Sequence, residues 1–455
     1  MSKKKRFNLN EIIFKQTLIP LTSKGSTVIF KNKFYGSSTN FTMDKNELNL
    51  KDLKYGQNFR SSEHLKMYEA KPFDQEDHEK FLKHEDIKNL SGLEIDLVYE
   101  WELGSMLIFD RTHLHCSSSV IEGKKIGVVA NHSSVIINKG ESVHLVDSLI
   151  DLGFDIRKIF SPEHGFKGDI ADGELIKDGK YRNTIDIISL YGSNKEMKVE
   201  DIKDLDLIIF DIQDVGVRYY TYLSTLHYVM EALAKSDKGL IVLDRPNPNS
   251  HYIDGPVLDL KYSSFIGLHP VPIVYGMTIG EYALMINGEN WLENGIKTKL
   301  DIIKIKNYNH KSRYLPPIPP SPNLPNIQSI LLYPSLAFLE KTPVSIGRGT
   351  NIQFQIFGHP DFKSKFFSFI PKPSYGSTNP KQQNQICFGD DLREYQIGSQ
   401  IELKWLIESY KLINNKKDFF YTDFKKLAGN EILEQQIKSG IDIKAIRASW
   451  QAGID

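Results

Sequence analysis

Between residues 122 and 300, short uninterrupted apolar runs alternate with segments whose apolar residues recur at helical spacing. The apolar runs are "KKIGVVAN", "FDIRKIF", "IDIISLYG", "LDLIIFDIQD" and "GLIVLDRPNP". Runs without polar alternation are typical of strands that are covered on both faces. Helical spacing marks "TYLSTLHYVMEALAKS" and also "ESVHLVDSLIDLG", where the predicted helix carries Val143, Leu145, Val146, Leu149 and Ile150. Strands alternating with helices predict a doubly wound, mostly parallel α/β sheet of the Rossmann-like class.

Two regions of different character flank this pattern. Residues 1–121 are polar and hold short strand candidates such as "GSTVIF" and "GSMLIFD", which predicts a β-rich segment. Residues 301–455 begin with the proline-rich "YLPPIPPSPNLPN", whose prolines favour an extended path, and continue with mixed α and β patterns. We therefore predict a β-rich segment at 1–121, the Rossmann-like domain at 122–300, and a smaller α+β domain at 301–455 that completes a cleft.

Composition narrows the classes of function. Lys+Arg and Asp+Glu both number 57 in the 455 residues, so net charge offers no basis for binding nucleic acid or an anionic membrane. Cys116 and Cys387 are the two cysteines, too few for a disulfide framework or a structural zinc site. No apolar run approaches the roughly 18–20 residues of a membrane span. The start "MSKKKRFNLNEIIF" lacks the apolar core of a signal peptide, so the chain as written would be cytoplasmic, and the sequence leaves the native compartment open.

Polar side chains follow every predicted strand of the central domain. In an open α/β sheet, ligands bind beyond the carboxyl ends of the strands, so these residues are the first candidates for a site. They are Asn131 and His132; Glu163 and His164; Tyr191; Asp211, Gln213, Asp214, Arg218 and Tyr220; and Asp244, Arg245 and Asn247. The agreement of five strand ends predicts a polar-ligand site. The first turn, "ANHSSVIINKGES", has no G-x-G-x-x-G, so no dinucleotide fingerprint is present.

Several of these residues also have a structural interpretation. A strand-end aspartate such as Asp211 or Asp214 is often a helix N-cap. His164 would serve equally as a hydrogen-bonded structural histidine, and His132 is best explained as part of a turn. Asp244 and Arg245 would form a local ion pair that shapes their loop.

Longer motifs resemble one family and occur in that family's order. They are "FSPEHGFKGD", "DGEL", "SLYG", "FDIQDVGVRYYTYLST", "VLDRPNP", "DGPVLD", "VPIVYGMTIGE", "PPSPNLPN" and "SIGRGT". Over roughly residues 122–455 the chain resembles the NamZ exo-β-N-acetylmuramidases, long grouped as a domain of unknown function. The resemblance implies hydrolysis of terminal β-linked N-acetylmuramic acid from peptidoglycan fragments, without a cofactor. Its partners would be peptidoglycan-derived muramyl saccharides.

The resemblance also implies roles for individual residues. Glycoside cleavage needs a proton donor at the leaving oxygen and a second group that stabilises the oxocarbenium-like centre or activates water. We expect Glu163 as general acid/base, because Pro162 and Phe166 would desolvate it, and His164 as the residue that orients it. The candidates for the second role are Asp211, Asp214 and Glu174.

The remaining expected roles concern substrate binding. Arg218, Arg245 and Arg348 are the natural bidentate partners of the lactyl carboxylate of muramic acid. Tyr191 and Tyr220 would stack on the sugar or hydrogen-bond it. Asp244 is also expected among the substrate-binding residues. The family pattern further implies that Asn131, Asn247, Ser321 and Asn323 face the cleft. Members of this family are usually exported and usually continue past "SW" for another strand, so we expect a truncated C-terminal domain here.

The N-terminal region resembles a different family. "YEWELGSMLIFDRTHLHCSSSVIEGKKIG" is similar to the closing half of an iron(II)/2-oxoglutarate oxygenase, with His115 as the second iron histidine. An iron site also needs an H-x-D or H-x-E motif that faces His115, and neither candidate in the sequence fits well. The histidine of "HED" at 84–86 lies only 31 positions before His115, and "TMD" at 42–44 lacks the histidine. We expect a partial, inactive double-stranded β-helix that would use iron(II) and 2-oxoglutarate only if active.

Three functional hypotheses follow from the sequence. The first is a glycoside hydrolase acting on muramic-acid ends. The second is a non-catalytic binder of peptidoglycan fragments. The third is a degenerate oxygenase fusion in which the α/β part is a passenger. The sequence leaves open the oligomeric state and whether hydrolysis retains or inverts configuration.

Overall fold

A computed structural model describes most of the chain. It covers residues 15–18, 26–33, 71–82, 87–101, 107–110, 113–117, 124–138, 141–167, 178–192, 195–374, 376–451 and 453–454. Contacts divide the chain into two compact units. One comprises Met1–Lys124 with Leu149–Asp155, and the other Lys125–Ser148 with Ile156–Asp455.

The described residues of the N-terminal unit form two small antiparallel sheets. Its strands are β1 (Lys15–Leu18), β2 (Ser26–Lys33), β3 (Ile95–Glu100), β4 (Leu107–Asp110) and β5 (His113–Ser117). β1 pairs with β4, and β2 lies between β3 and β5. Its helical turns are α1 (Gln75–Asp77), a π-turn (His78–Leu82) and a 3₁₀ turn (Ile87–Leu90). The predicted strands "GSTVIF" and "GSMLIFD" are therefore confirmed as β2 and β4.

The double-stranded β-helix stays a prediction. His115 lies in β5, but its side chain is outside the described residues, as are residues 42–44 and 84–86. Among the described residues, no group of three His, Cys, Asp or Glu side chains is placed to hold a metal ion.

The second unit is built on a seven-stranded sheet. Its strands are β6 (Lys125–Ala130), β7 (Val135–Asn138), β8 (Glu141–His144), β9 (Asp155–Ser161), β10 (Gly179–Tyr181), β11 (Ile185–Ser189), β12 (Leu207–Asp211), β13 (Gly239–Leu243) and β14 (Lys299–Ile303). β7 and β8 form a separate hairpin, and the others lie in the order β10-β11-β9-β6-β12-β13-β14. β11 is parallel to β9, and β6, β12, β13 and β14 pair in parallel, whereas edge strand β10 is antiparallel.

The predicted parallel α/β sheet is confirmed, with two local differences. "ESVHLVDSLIDLG" is not one helix, because Glu141–His144 pairs with Val135–Asn138 as a ribbon and the helix begins at Leu145. Val143 faces Ile136 across that ribbon and is 44% exposed, so its helical spacing does not reflect burial. The predicted boundary at residue 300 falls inside β14, which pairs with β13 through Ile303.

Helices cover the sheet and continue into the last third of the chain. Those of the sheet region are α2 (Leu145–Asp151), α3 (Val199–Ile202), α4 (Tyr222–Lys235) and α5 (Ile279–Gly288). The later ones are α6 (Ile327–Leu336), α7 (Lys404–Leu412), α8 (Phe424–Ala428), α9 (Ile432–Lys438) and α10 (Ile443–Gln451). They accompany an antiparallel sheet of β15 (Ile356–His359), β17 (Cys387–Asp391) and β16 (Phe367–Phe369), in that order. This α+β part shares one hydrophobic core with the large sheet.

In the part of the second unit that the structure describes, the 3₁₀ turns are Leu260–Tyr262, Glu293–Gly295, Ala337–Lys341 and Lys416–Asp418. No helix among the described residues combines the length and apolar character needed to cross a membrane.

A buried carboxylate attaches the last helix to the sheet region. Asp254 is 3% exposed and accepts from the backbone N–H of Ile401 at 2.7 Å, from Nη2 of Arg447 at 2.7 Å and from Nε1 of Trp450 at 3.2 Å. Arg447 and Trp450 both belong to α10. One carboxylate thus fixes the position of that helix.

We expect Asp254→Ala to lower the free energy of unfolding by about 2 kcal/mol, because it leaves a half-buried guanidinium and a buried indole N–H without their acceptor. Urea unfolding measures the change, and limited proteolysis should show cleavage first near α10. The exposed Asp423→Ala serves as the control. Equal stability of the two variants would show that Asp254 does not hold the helix.

Candidate active site

A cleft of about 560 Å³ opens beyond the carboxyl ends of β9, β11 and β12. This volume lies within the range of about 300–1,000 Å³ that is usual for small-molecule sites. One wall comes from the loops after these strands, and the other from the segments around residues 321–324, 340–354 and 376–381. Seven residues predicted from the sequence line it: Glu163, His164, Tyr191, Tyr220, Ser321, Asn323 and Arg348.

A tight turn after β9 presents Glu163 and His164. The N–H of Gly165 donates to the carbonyl of Pro162 at 3.1 Å, which closes the turn. His164 and Gly165 have φ of 70° and 77°, in the left-handed region. That conformation costs a non-glycine residue about 1 kcal/mol, and such strain is concentrated at functional sites. Glu163 and His164 are both buried, at 6% and 7% exposure.

The Glu163 carboxyl is held at the N-terminus of α4. The Thr221 hydroxyl donates to Oε2 of Glu163 at 2.6 Å. Thr221 is the N-cap of the 14-residue helix, yet its side chain makes no capping hydrogen bond. The Thr221 hydroxyl therefore hydrogen-bonds the Glu163 carboxyl instead of capping the helix. The unpaired N–H groups of a helix N-terminus also attract negative charge.

An aromatic cluster forms the floor of the cleft. The Tyr220 ring lies 4.8 Å from that of Tyr222 and 5.9 Å from that of Tyr333, and the Tyr333 ring lies 5.0 Å from Phe354. The Tyr220 hydroxyl donates to the carbonyl of Pro320 at 2.9 Å, which holds the proline-rich segment in place. Burial raises the pKa of Tyr220 above its ordinary value, so the phenol stays protonated.

The second wall carries charged residues. Arg348 donates from Nε to Oε1 of Glu340 at 2.9 Å, and its Nη2 contacts the same oxygen at 2.5 Å. Lys381 donates to the carbonyls of Leu339 at 3.0 Å and Glu340 at 2.6 Å, and also to that of Thr342. Burial lowers the pKa of Lys381 to about 7, while the three carbonyls favour its charged form.

Sequence reasoning missed several residues that line the cleft: Lys195, Thr221, Glu340, Lys341 and Lys381. Thr221 had a usable signal, since it is an N-cap residue type directly before a helical pattern. Glu340 lies only five residues before the "SIGRGT" motif. Nothing in the sequence singles out Lys195 or Lys381.

The structure does not place Asp211, Asp244 or Arg245 on the cleft wall. Arg245 donates from Nε to Oδ1 of Asp211 at 2.5 Å and from Nη2 to Oδ2 at 2.8 Å, and the Asp211 side chain is 4% exposed. Asp244 accepts from the Thr278 hydroxyl and the Gly280 N–H, both at 2.8 Å, at the start of α5. Burial raises the pKa of Asp244. Internal partners thus occupy all three side chains.

Asp214 and Arg218 also lie in the interior. Asp214 accepts from the Tyr275 hydroxyl and from the Gly216 N–H at 2.6 Å. Arg218 is 1% exposed and donates to the carbonyls of Pro256 and Val271, both at 2.8 Å. Burial lowers the pKa of Arg218 to about 10. These two charges stabilise the loop between β12 and α4 rather than reaching the cleft.

The two strand-end asparagines are likewise internal. Asn131 is fully buried and donates to the Tyr222 hydroxyl at 3.0 Å. Asn247 donates to the carbonyl of Met277 at 2.8 Å, and its Oδ1 accepts from the Asn249 N–H at 2.8 Å. Asn131 therefore supports the cleft floor from below. Glu174 lies outside the described residues.

Three of the structural interpretations are tested here. The expected local ion pair of Asp244 and Arg245 is wrong, because the Arg245 guanidinium donates to Asp211 instead. His132 lies in the turn where the Ser134 N–H donates to the Asn131 carbonyl at 3.0 Å, so that interpretation is confirmed. Asp211 and Asp214 are not helix N-caps, because α4 begins at Tyr222 with Thr221 as its cap.

Comparisons with known proteins agree with this architecture. Family models described as "Exo-beta-N-acetylmuramidase NamZ, N-terminal" and "Exo-beta-N-acetylmuramidase NamZ, C-terminal" match residues 126–328 and 331–455. The chain is 34% identical over 355 residues to "Peptidoglycan beta-N-acetylmuramidase NamZ" of Bacillus subtilis (strain 168), covering 73% of this chain and 84% of the relative.

Two solved structures share the fold. Both are DUF1343 family proteins of Bacteroides fragilis NCTC 9343. One is 40% identical with a TM-score of 0.66, covering 74% of this chain and 91% of the other. The second is 27% identical with a TM-score of 0.62, covering 74% and 92%.

The buried Asp214 predicts a pH dependence of stability. Burial raises the pKa of Asp214 to about 6. A native pKa above the unfolded value stabilises the fold fully below about pH 4, and this contribution is lost as the pH rises through 6. It amounts to about 3 kcal/mol. We expect the stability of Asp214→Asn relative to wild type to rise between pH 4.5 and pH 7.5, because Asn stays neutral while the buried wild-type carboxyl ionises. Urea unfolding at both pH values measures it, and a difference that is constant with pH would contradict it.

Proposed function

The chain belongs to the exo-β-N-acetylmuramidase NamZ family, and from this membership and the cleft geometry we propose that it releases terminal β-linked N-acetylmuramic acid from peptidoglycan fragments. The observation that carries the chemical assignment is the Glu163 carboxyl. It is buried in a sugar-sized cleft, on a strained turn, and bonded to the hydroxyl at the start of α4.

We assign Glu163 the role of general acid and base. In its protonated form it gives the proton to the glycosidic oxygen while the bond from that oxygen to the anomeric carbon breaks. The leaving sugar departs as an alcohol, and water supplies the new anomeric oxygen. One proton of that water stays on the new anomeric hydroxyl, and the other goes to a carboxylate. The overall step consumes one water and no cofactor.

The second catalytic group must be a carboxyl that reaches the cleft. Asp211 and Asp214 are engaged in the interior, so they do not serve this proposal. Among the described residues that line the cleft, Glu163 and Glu340 are the two carboxyl side chains. Glu340 therefore joins Glu174 as a candidate for the group that acts at the anomeric carbon.

The cationic side of the cleft fits the lactyl carboxylate of muramic acid. Arg348 and Lys341 line this side, whereas Arg218 and Arg245 donate to internal acceptors. We propose that the carboxylate binds against Arg348, whose guanidinium lines the cleft while its Nε and Nη2 also donate to Glu340. His164 lies beside Glu163 on the same turn and is proposed to orient the acid.

We expect Glu163→Gln to lower kcat about 10²–10⁴-fold on a muramyl disaccharide, the usual contribution of a general acid–base residue. The loss should be smaller on a 4-nitrophenyl muramide, because nitrophenolate leaves without protonation. Release of N-acetylmuramic acid measures both. Glu394→Gln, exposed and away from the cleft, is the matched control. Sugar binding without turnover in the wild type would indicate a non-catalytic binder instead.

We expect Thr221→Val to shift the alkaline limb of the kcat/KM profile upward by about one pH unit, because a hydroxyl that donates to a carboxylate favours its ionised form. Activity that needs protonated Glu163 then survives to higher pH. Thr221→Ser keeps the hydroxyl and should keep the wild-type limb. A uniform loss of rate with an unshifted profile in both variants would show that Thr221 only supports the helix.

A further inference from the structure

One lip of the cleft carries an aromatic residue that no proposed step uses. Phe265 lies at the tip of a two-residue turn, where the Ser264 N–H donates to the Gly267 carbonyl at 2.9 Å and the Gly267 N–H donates back at 2.8 Å. Phe265 lines the cleft and is only partly buried. A short turn with two closing hydrogen bonds presents its side chain in a fixed place.

The turn is fixed to the same helix that holds the catalytic carboxyl. Ser224, in the first turn of α4, donates from its hydroxyl to the Phe265 carbonyl at 2.7 Å. Thr221 lies three residues earlier and donates to Glu163. The N-terminus of α4 therefore positions both the Phe265 turn and the Glu163 carboxyl.

Other side chains surround the Phe265 ring. The Tyr228 ring lies parallel to it, at 8° and 6.3 Å between centroids, and does not line the cleft. Tyr191 lies 6.0 Å away and does line the cleft. The Lys195 ammonium lies 4.8 Å from the ring centroid, and no carboxylate of the described residues pairs with it. The Phe265 ring thus forms a flat apolar surface, and the exposed Lys195 ammonium beside it is a hydrogen-bond donor.

This combination has the chemistry of a saccharide subsite. The C–H face of a pyranose is apolar and flat, and a rigid aromatic ring covers such a face at little entropic cost. Hydroxyl and acetamido oxygens at the sugar rim accept from an ammonium. Lys195 has three such donors and is exposed at the lip.

Building on the proposed function, we propose that Phe265, Tyr191 and Lys195 form the subsite for the leaving sugar, a neutral pyranose linked to the departing oxygen. Glu163 then protonates the oxygen between the muramic acid in the cleft and the pyranose at the lip. Specificity for a saccharide leaving group would come from Phe265.

The test compares two substrates that share the terminal N-acetylmuramic acid. One is a disaccharide whose leaving group is a pyranose, and the other is the β-fluoride, whose leaving group has no ring. For Phe265→Ala we expect kcat/KM on the disaccharide to fall about tenfold, mainly through KM, which corresponds to loss of one stacking contact. The β-fluoride should change less than about twofold, because nothing then occupies the lip.

Further variants separate the subsite from the fold. Phe265→Leu keeps apolar volume without a flat ring and should show the same substrate difference, whereas Phe265→Tyr should retain wild-type behaviour. Tyr228→Leu removes the ring packed on Phe265 outside the cleft and should affect both substrates by less than about twofold.

The outcomes are distinct. An equal loss on both substrates, or no loss on the disaccharide, would overturn the subsite. If the wild type hydrolyses neither substrate, the proposed function fails. If it hydrolyses both, the ratio between them tests the subsite alone.

Discussion

The hydrogen bond between Thr221 and Glu163 connects two loops that are far apart in the chain. Glu163 follows β9 and Thr221 precedes α4, which follows β12. β9 and β12 lie on either side of β6, where the strand order reverses and an open sheet leaves a crevice. The bond spans that crevice. Because it uses the cap residue of a long helix, the position of the acid depends on the packing of the whole helix, not on its own short turn.

Buried charges inside the second unit act on loops rather than on the ligand. Asp214 and Arg218 both lie between β12 and α4, and each is bonded to hydroxyl or backbone groups instead of an opposite charge. Asp254 instead holds α10 through an ion pair with Arg447 and a hydrogen bond from Trp450. Leaving such groups unpaired in the interior is costly, which makes each a strong constraint on local backbone geometry.

The sequence predicted the sheet well because its strands are covered on both faces and therefore lack polar alternation, as in β6 and β12. The position of Glu163 and His164 followed from the rule that strand ends meet at one edge. That rule does not give side-chain direction, so Asp211 and Asp244 share the edge yet point into interior partners. In the wall from Glu340 to Lys381 only Arg348, within "SIGRGT", had a local signal, because the rest depends on how the α+β part packs. β8 was missed because an exposed ribbon carried apolar residues at helical intervals.

The single hydrophobic core beneath both walls has a kinetic consequence. Core residues from the large sheet, such as Phe210, and from the α+β part, such as Phe357, belong to one continuous cluster. A hinge movement between the walls would expose that cluster to water, at about 25 cal/mol for each Å² uncovered. The cleft is therefore preformed and does not form by hinge closure of two domains. Its turnover would be paced by bond breaking or by escape of the freed sugar, and not by the closing of domains.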